Sequence, residues 1–177
     1  VVELWLDGAW DKTRKQWQLD KVYDLVKRLQ PNCAVGVNHT VGVDEDKADF
    51  PDDYYMPFKC RENDPLRMFP SDFRLWDPHP CRKGDPKIYT FEGEKYYLPF
   101  EMTICSRIGF SWFYSNCYEE EQQMDIDETV EKCKLAFEEN NIAVINMPPN
   151  TEGKMVESDI AHLYEIAKRL GTLRKSD

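Results

Sequence analysis

The chain opens VVELWLDGAW, so that a carboxylate, Asp7, follows directly on an apolar run and is itself followed by Gly8. A carboxylate exposed at the end of a strand is a nucleophile or a proton acceptor in waiting. Asp-Gly is equally one of the commonest turn dipeptides, and spacing alone leaves both readings open. Three other groups invite the same question: His39 in Asn38-His39-Thr40, Asp77 in SDFRLWDPHP and Glu101 in FEMTI. Each has a structural alternative, an ion-paired carboxylate or a hydrogen-bonded structural histidine. The six cysteines include no C-x-x-C pair and no tight Cys/His cluster, so no metal site is expected. Cys33, Cys105 and Cys133 stand in apolar patterns and read as core thiols rather than disulfide partners. Asn38-His39-Thr40 is also a glycosylation sequon, of consequence only in a secreted eukaryotic protein.

Groups of this kind need a rigid frame, and the sequence describes one. WQLDKVYDLVKRLQPN sets Leu19, Val22, Val26 and Leu29 at helical spacing and stops at Pro31. CAVGVN then has the look of a strand buried on both faces. Strand, helix and strand in succession make a parallel crossover unit. Residues 40 to 97 differ: they hold most of the eleven prolines and no sustained period. Their strand-like pieces are FRLWD (73 to 77) and KIYTFEGEKYYL (87 to 98), the latter a hairpin turning at Glu92-Gly93. Such an insertion is either functional or a solvated surface loop.

Regular structure resumes with YLPFEMTI. A helix is expected over about 127 to 140, entered through a capping box in DIDE (125 to 128) and striped by Val130, Cys133 and Phe137. IAVINM reads as another buried strand. The last helix, about 157 to 170, is expected to start at Ser158, bury Ile160, Leu163, Ala167 and Leu170, and stop at Gly171. The expected fold class is therefore α/β, a single domain over 1 to 177 with a loop-rich insertion at about 40 to 97. Five parallel strands are too few for a closed (β/α)8 barrel, and the arrangement reads as the C-terminal half of a TIM-type barrel. Active groups of such barrels sit at the C-terminal ends of strands, where Asp7 falls.

ELWLDG (3 to 8), FEMTI with SWFY (100 to 104 and 111 to 114) and INMPPNTEGKM (145 to 155) resemble, in order and rough spacing, three landmarks of glycoside hydrolase family 29, the α-L-fucosidases. The resemblance is close at 1 to 10 and 98 to 170 and faint between. It implies a retaining glycosidase in which Asp7 is the nucleophile. Retention needs a second carboxyl about 5 to 5.5 Å away to serve as acid and then base. Asp77 is the first candidate for that role and Glu101 the second. The resemblance further makes Trp5 and Trp112 pocket-lining rings for a sugar face, with packing as the alternative for both. Many family members carry Asn-Asp-Arg where this chain has Asn38-His39-Thr40, which leaves His39 either to donate to a sugar hydroxyl or to serve structure. No cofactor is implied.

A net charge of -10 argues against nucleic acid or an anionic membrane as partner. No apolar run approaches the roughly 20 residues of a membrane span. A neutral carbohydrate, by resemblance a fucosylated glycan, fits better, and the resemblance allows a periplasmic, secreted or lysosomal setting. An open sheet edge at the first strand is expected to be covered, by a second copy of the chain or by an N-terminal half of the barrel. The competing reading is a non-catalytic half-barrel that binds carbohydrate or a partner.

Overall fold

A computed structural model describes residues 1–9, 11–42, 60–76, 79–109, 112–113 and 122–172. Its elements are β1 (Glu3–Leu6), α1 (Arg14–Trp17), α2 (Leu19–Leu29), β2 (Ala34–Asn38), β3 (Phe73–Leu75), β4 (Ile88–Phe91), β5 (Glu94–Tyr97), β6 (Phe100–Cys105), α3 (Ile126–Glu138), β7 (Ile142–Asn146) and α4 (Glu157–Leu170). β1, β2, β3, β6 and β7 form one parallel sheet in that order, a curled half-barrel, while β4 and β5 make a separate antiparallel hairpin. Because spatial order follows chain order, successive strands bring their C-terminal ends to one rim. That rim is where the expected functional groups belong.

Register fixes which side chains share a face. Trp5, Gly36 and Phe73 lie level across β1, β2 and β3, and Asn38, Leu75 and Glu101 lie level across β2, β3 and β6. Alternation then puts Glu3, Trp5, Asp7, Asn38, Glu101, Thr103 and Cys105 on the inner face. Gly36 is required there, because a Cβ at that position would fall 2.1 Å from the Phe73 ring. The opposite face of β6, with Phe100, Met102 and Ile104, packs on Cys133 and Ala136 of α3. β6 is consequently buried on both sides.

The first crossover is helical. Leu19 packs with Val37 and Leu6, and Asp72 ties α2 to the sheet by accepting from Tyr23 Oη (2.6 Å), Lys27 Nζ (2.6 Å) and the Val35 amide (2.7 Å). Leu29 does not join the expected stripe: it is exposed, since the helix ends there and Lys27 closes over the carbonyl of Cys33 instead. The second and third crossovers carry the insertion, whose described part has a core of its own in Val41, Cys60, Leu66, Tyr89 and Leu98. Arg74, fully buried, joins this core to the sheet. Its guanidinium lies 4.1 Å from the Phe100 ring centroid and 3.6 Å from Asp85. The hairpin turns where expected, with positive φ at both Glu92 and Gly93, as a two-residue turn of matching twist demands.

Several local expectations shift. Asp125 caps α3 through the Glu128 amide, but the Glu128 side chain pairs with Lys132 and leaves the capping box half made. The complete capping box is Thr13 with Gln16, at α1. β3 ends at Leu75, and Asp77 lies outside the described residues. α4 begins at Glu157 after Val156, which supplies no side-chain cap. Asp159, His162 and Ile166 are its buried residues, while Ile160, Leu163, Ala167 and Leu170 are half-buried. The helix is rotated toward Asp159 because that carboxylate is drawn inward by Arg107 and Gln123 (2.7 Å each). IAVINM is only half-buried, as is β1, because the two are the edge strands of the sheet. Cys33, Cys60, Cys81, Cys105 and Cys133 are all buried.

Candidate active site

The rim is assembled from three strand ends. Asp7 follows β1, and Gly8, at φ +93°, turns the chain away so that the carboxylate stays exposed. Asn38, the last residue of β2, is buried and donates its amide Nδ2 to Asp7 Oδ1 at 3.0 Å. Its own Oδ1 accepts the His39 amide at 2.9 Å. That local bond accompanies a left-handed backbone at His39, φ +57°, which swings the imidazole over Trp76 just past β3. The two rings stack at 4.1 Å and 5°. The structure therefore brings Asp7, Asn38, His39 and Trp76 together at one end of the sheet.

In the sequence Asn38 belongs to a sequon and to the segment that stands where family members carry Asn-Asp-Arg, and neither pattern links it to Asp7. Its place at the end of a buried strand, one register step from Asp7, was the available signal. With Nδ2 committed to Asp7 and the residue 2% exposed, Asn38 is not placed to carry a glycan.

Trp5 lies one inward-facing position below Asp7 and points its indole across the half-barrel, donating to Glu101 Oε1 at 2.8 Å. Thr103 Oγ1 donates to the same oxygen at 2.9 Å. Glu101 is 0% exposed and is the second of six residues in β6, so the strand runs on for four residues to its rim. Burial, then the hydrogen bond and negative charge of Glu3, push its carboxyl up to about 8. Trp112 is half-buried, its carbonyl accepting from Asn146 Nδ2 at 3.0 Å at the end of β7. A cavity of about 170 Å³ flanks Asp7, lined by Trp5, Trp17, Leu19, Val37 and Met68 among others. A larger one, about 550 Å³, lies between β6 and the start of α3 and includes none of the five described candidates. Among the described residues no group of three His, Cys, Asp or Glu side chains is gathered to hold a metal ion.

No family model matches the sequence, and no curated protein matches it. Solved structures do match. α-L-Fucosidase isoenzyme 1 from Paenibacillus thiaminolyticus superposes with a TM-score of 0.60 at 19% identity, over 97% of this chain and 34% of that one. The chain shares its fold with α-L-fucosidases. A putative α-L-fucosidase from Bacteroides thetaiotaomicron gives 0.57 at 18% identity, over 95% of this chain and 34% of the other. A bacterial fucosidase solved with a dihydroxymethylpyrrolidine inhibitor gives 0.60 at 18%, over 100% and 38%. The chain thus spans about a third of the length of the α-L-fucosidase structures it matches. It corresponds to the half-barrel portion of that fold.

Proposed function

We infer that the chain is the nucleophile-bearing part of a retaining, α-L-fucosidase-like glycoside hydrolase acting on terminal fucosyl residues of glycans. The observation that carries this reading is the Asp7 carboxylate, exposed at the rim and aligned by the Asn38 amide, in a fold shared with α-L-fucosidases. In the double displacement, one Asp7 oxygen attacks the anomeric carbon while the glycosidic C–O bond breaks and the leaving oxygen takes a proton from the acid/base. Water, deprotonated by that same group, then attacks the anomeric carbon and frees Asp7. We assign the acid/base to Asp77, which follows Trp76 in the chain. Glu101, closed off from solvent beneath Trp5, is the second choice. Trp5, Trp112 and His39 form the sugar-contacting set, His39 as a donor to a hydroxyl.

The rest of the barrel is supplied from outside these 177 residues, either by an N-terminal half or by a second copy, and the residues alone are inactive. β1 and β7 are the edges that such strands would cover. The competing reading, a non-catalytic carbohydrate- or partner-binding half-barrel, draws on the enclosure of Glu101, which keeps that carboxyl from the rim where Asp7 stands. A mechanism-based 2-fluorofucosyl fluoride decides between them. Incubation of the parent protein followed by peptide mass spectrometry is expected to find the sugar on Asp7. A label elsewhere, or none while the sugar still binds, would retire the enzyme reading.

A further inference from the structure

The inner face of the sheet holds a second carboxyl with unusual surroundings. Oε1 of Glu101 accepts twice, from Trp5 and from Thr103, while Oε2 is buried with no N–H or hydroxyl donor reaching it. The neighbouring Glu3 carboxyl, on the same inner face, raises the Glu101 carboxyl further, through hydrogen bonding and through its like charge. Two carboxyl groups form a hydrogen bond only when one of them carries a proton. The fully enclosed member bears the greater cost of charge, and that member is Glu101, since Glu3 is half-buried.

We propose that Glu101 is a neutral carboxylic acid whose Oε2–H donates to the Glu3 carboxylate and whose Oε1 fixes the Trp5 indole, making it the positioning residue for the ring beneath Asp7. The proton resolves the otherwise orphaned oxygen. It also adds no further negative charge to the face that carries Asp7. Among the described residues, the charged group facing Glu101 comes from β1 and is Glu3. Trp5 and Thr103 contribute neutral donors, and the register neighbours on β3 and β7 are Leu75 and Ile142. The placement of a sugar-facing indole rests on the glycosidase reading, whereas the proton and the anchor do not.

The test is a pH titration by NMR of the protein carrying ¹⁵N-tryptophan and ¹³C-carboxyl glutamate, with Trp5 assigned through W5F. The Glu101 carboxyl carbon and the Trp5 indole N–H are expected to move together with a midpoint close to 8. In E101Q, whose amide keeps both an acceptor for Trp5 and a donor for Glu3, the indole signal should stay at its neutral-acid position and stop titrating. In E3Q, at a half-exposed site that folds readily, the Glu101 midpoint should fall by a unit or more. The proposal is overturned if Glu101 titrates below pH 6 in the unaltered protein, if the indole ignores that titration, or if E3Q leaves the midpoint unmoved. None of these readings uses a substrate, so an inactive protein with the expected titration counts against the proposed function and not against the anchor.

Discussion

Asp7 and Glu101 leave the same inner face of one sheet, yet the fold treats them in opposite ways. Asp7 stands past the end of its strand, exposed, with the Asn38 amide as its neighbour. Glu101 stands four residues short of its strand's end, sealed from water, held by Trp5 and Thr103 and raised by its burial and by Glu3. Depth along the strand separates a carboxyl that a substrate can reach from one that can only organise its neighbours. The chemistry of each follows from solvation more than from residue type.

The strongest way to break this contrast is to remove each group in turn. Asp7→Ala in the parent protein should lower kcat on an aryl fucoside by about 10⁴-fold or more while sugar affinity persists. Stability should change by only about 1 kcal/mol, because one partly exposed hydrogen bond is lost. Glu101→Gln should cost less than about tenfold in kcat, since it keeps the bond to Trp5. Equal losses from the two variants, or parallel loss of binding and stability in the first, would erase the distinction. Steady-state kinetics with isothermal titration of a fucose-like inhibitor measures both.

Next in size is the acid/base. Asp77→Asn should lower turnover by about 10²- to 10⁴-fold for a substrate with a poor leaving group, the range proton transfer normally supplies. A substrate with a nitrophenolate leaving group, which needs no proton to depart, should be far less affected in its first step. If Glu101→Gln shows that leaving-group pattern and Asp77→Asn does not, the enclosed carboxyl is the acid after all, and the contrast fails.

The same contrast has a thermodynamic side. A carboxyl whose folded value is raised binds its proton more tightly in the native state, so its stabilisation is fully present below the unfolded value and is lost as pH climbs through the folded one. For Glu101 that window runs from about 4.5 to about 8. Denaturant unfolding should accordingly show stability falling across it, with a slope approaching about 1.4 kcal/mol per pH unit from this one group. Glu101→Gln should flatten that slope, whereas Asp7→Ala should leave it in place. A flat profile in the unaltered chain would contradict the neutral acid.

Much of the frame could be read from residue order, because the parallel strands lie in the sheet as they lie in the chain. CAVGVN holds β2, buried from Val35 to Asn38, and Glu92-Gly93 is the hairpin turn, as their patterns suggest. What escaped were contacts between distant segments. Nothing near Asp159 in sequence announces Arg107 and Gln123, yet they rotate α4 and displace its expected stripe. IAVINM has the composition of an enclosed strand but sits at a sheet edge, a property of topology that no window of residues contains. At the site, Asp7 stood out because Gly8 follows it. The bond from Asn38 to Asp7 spans 31 residues, and the link from Trp5 to Glu101 spans 96.

The smallest expected effect tests the local wiring. Thr103→Val replaces the hydroxyl by a methyl of similar shape and removes one of the two donors on Glu101 Oε1. A donor to a carboxyl favours its charged form, so its removal should move the Glu101 midpoint upward, in the direction opposite to Glu3→Gln. The stability cost should be about 1 kcal/mol, because Trp5 still serves the same oxygen. Two substitutions on facing strands would then shift one proton in opposite senses, the like charge of Glu3 holding it on and the Thr103 donor favouring its loss. Following the ¹³C carboxyl signal in both variants measures it.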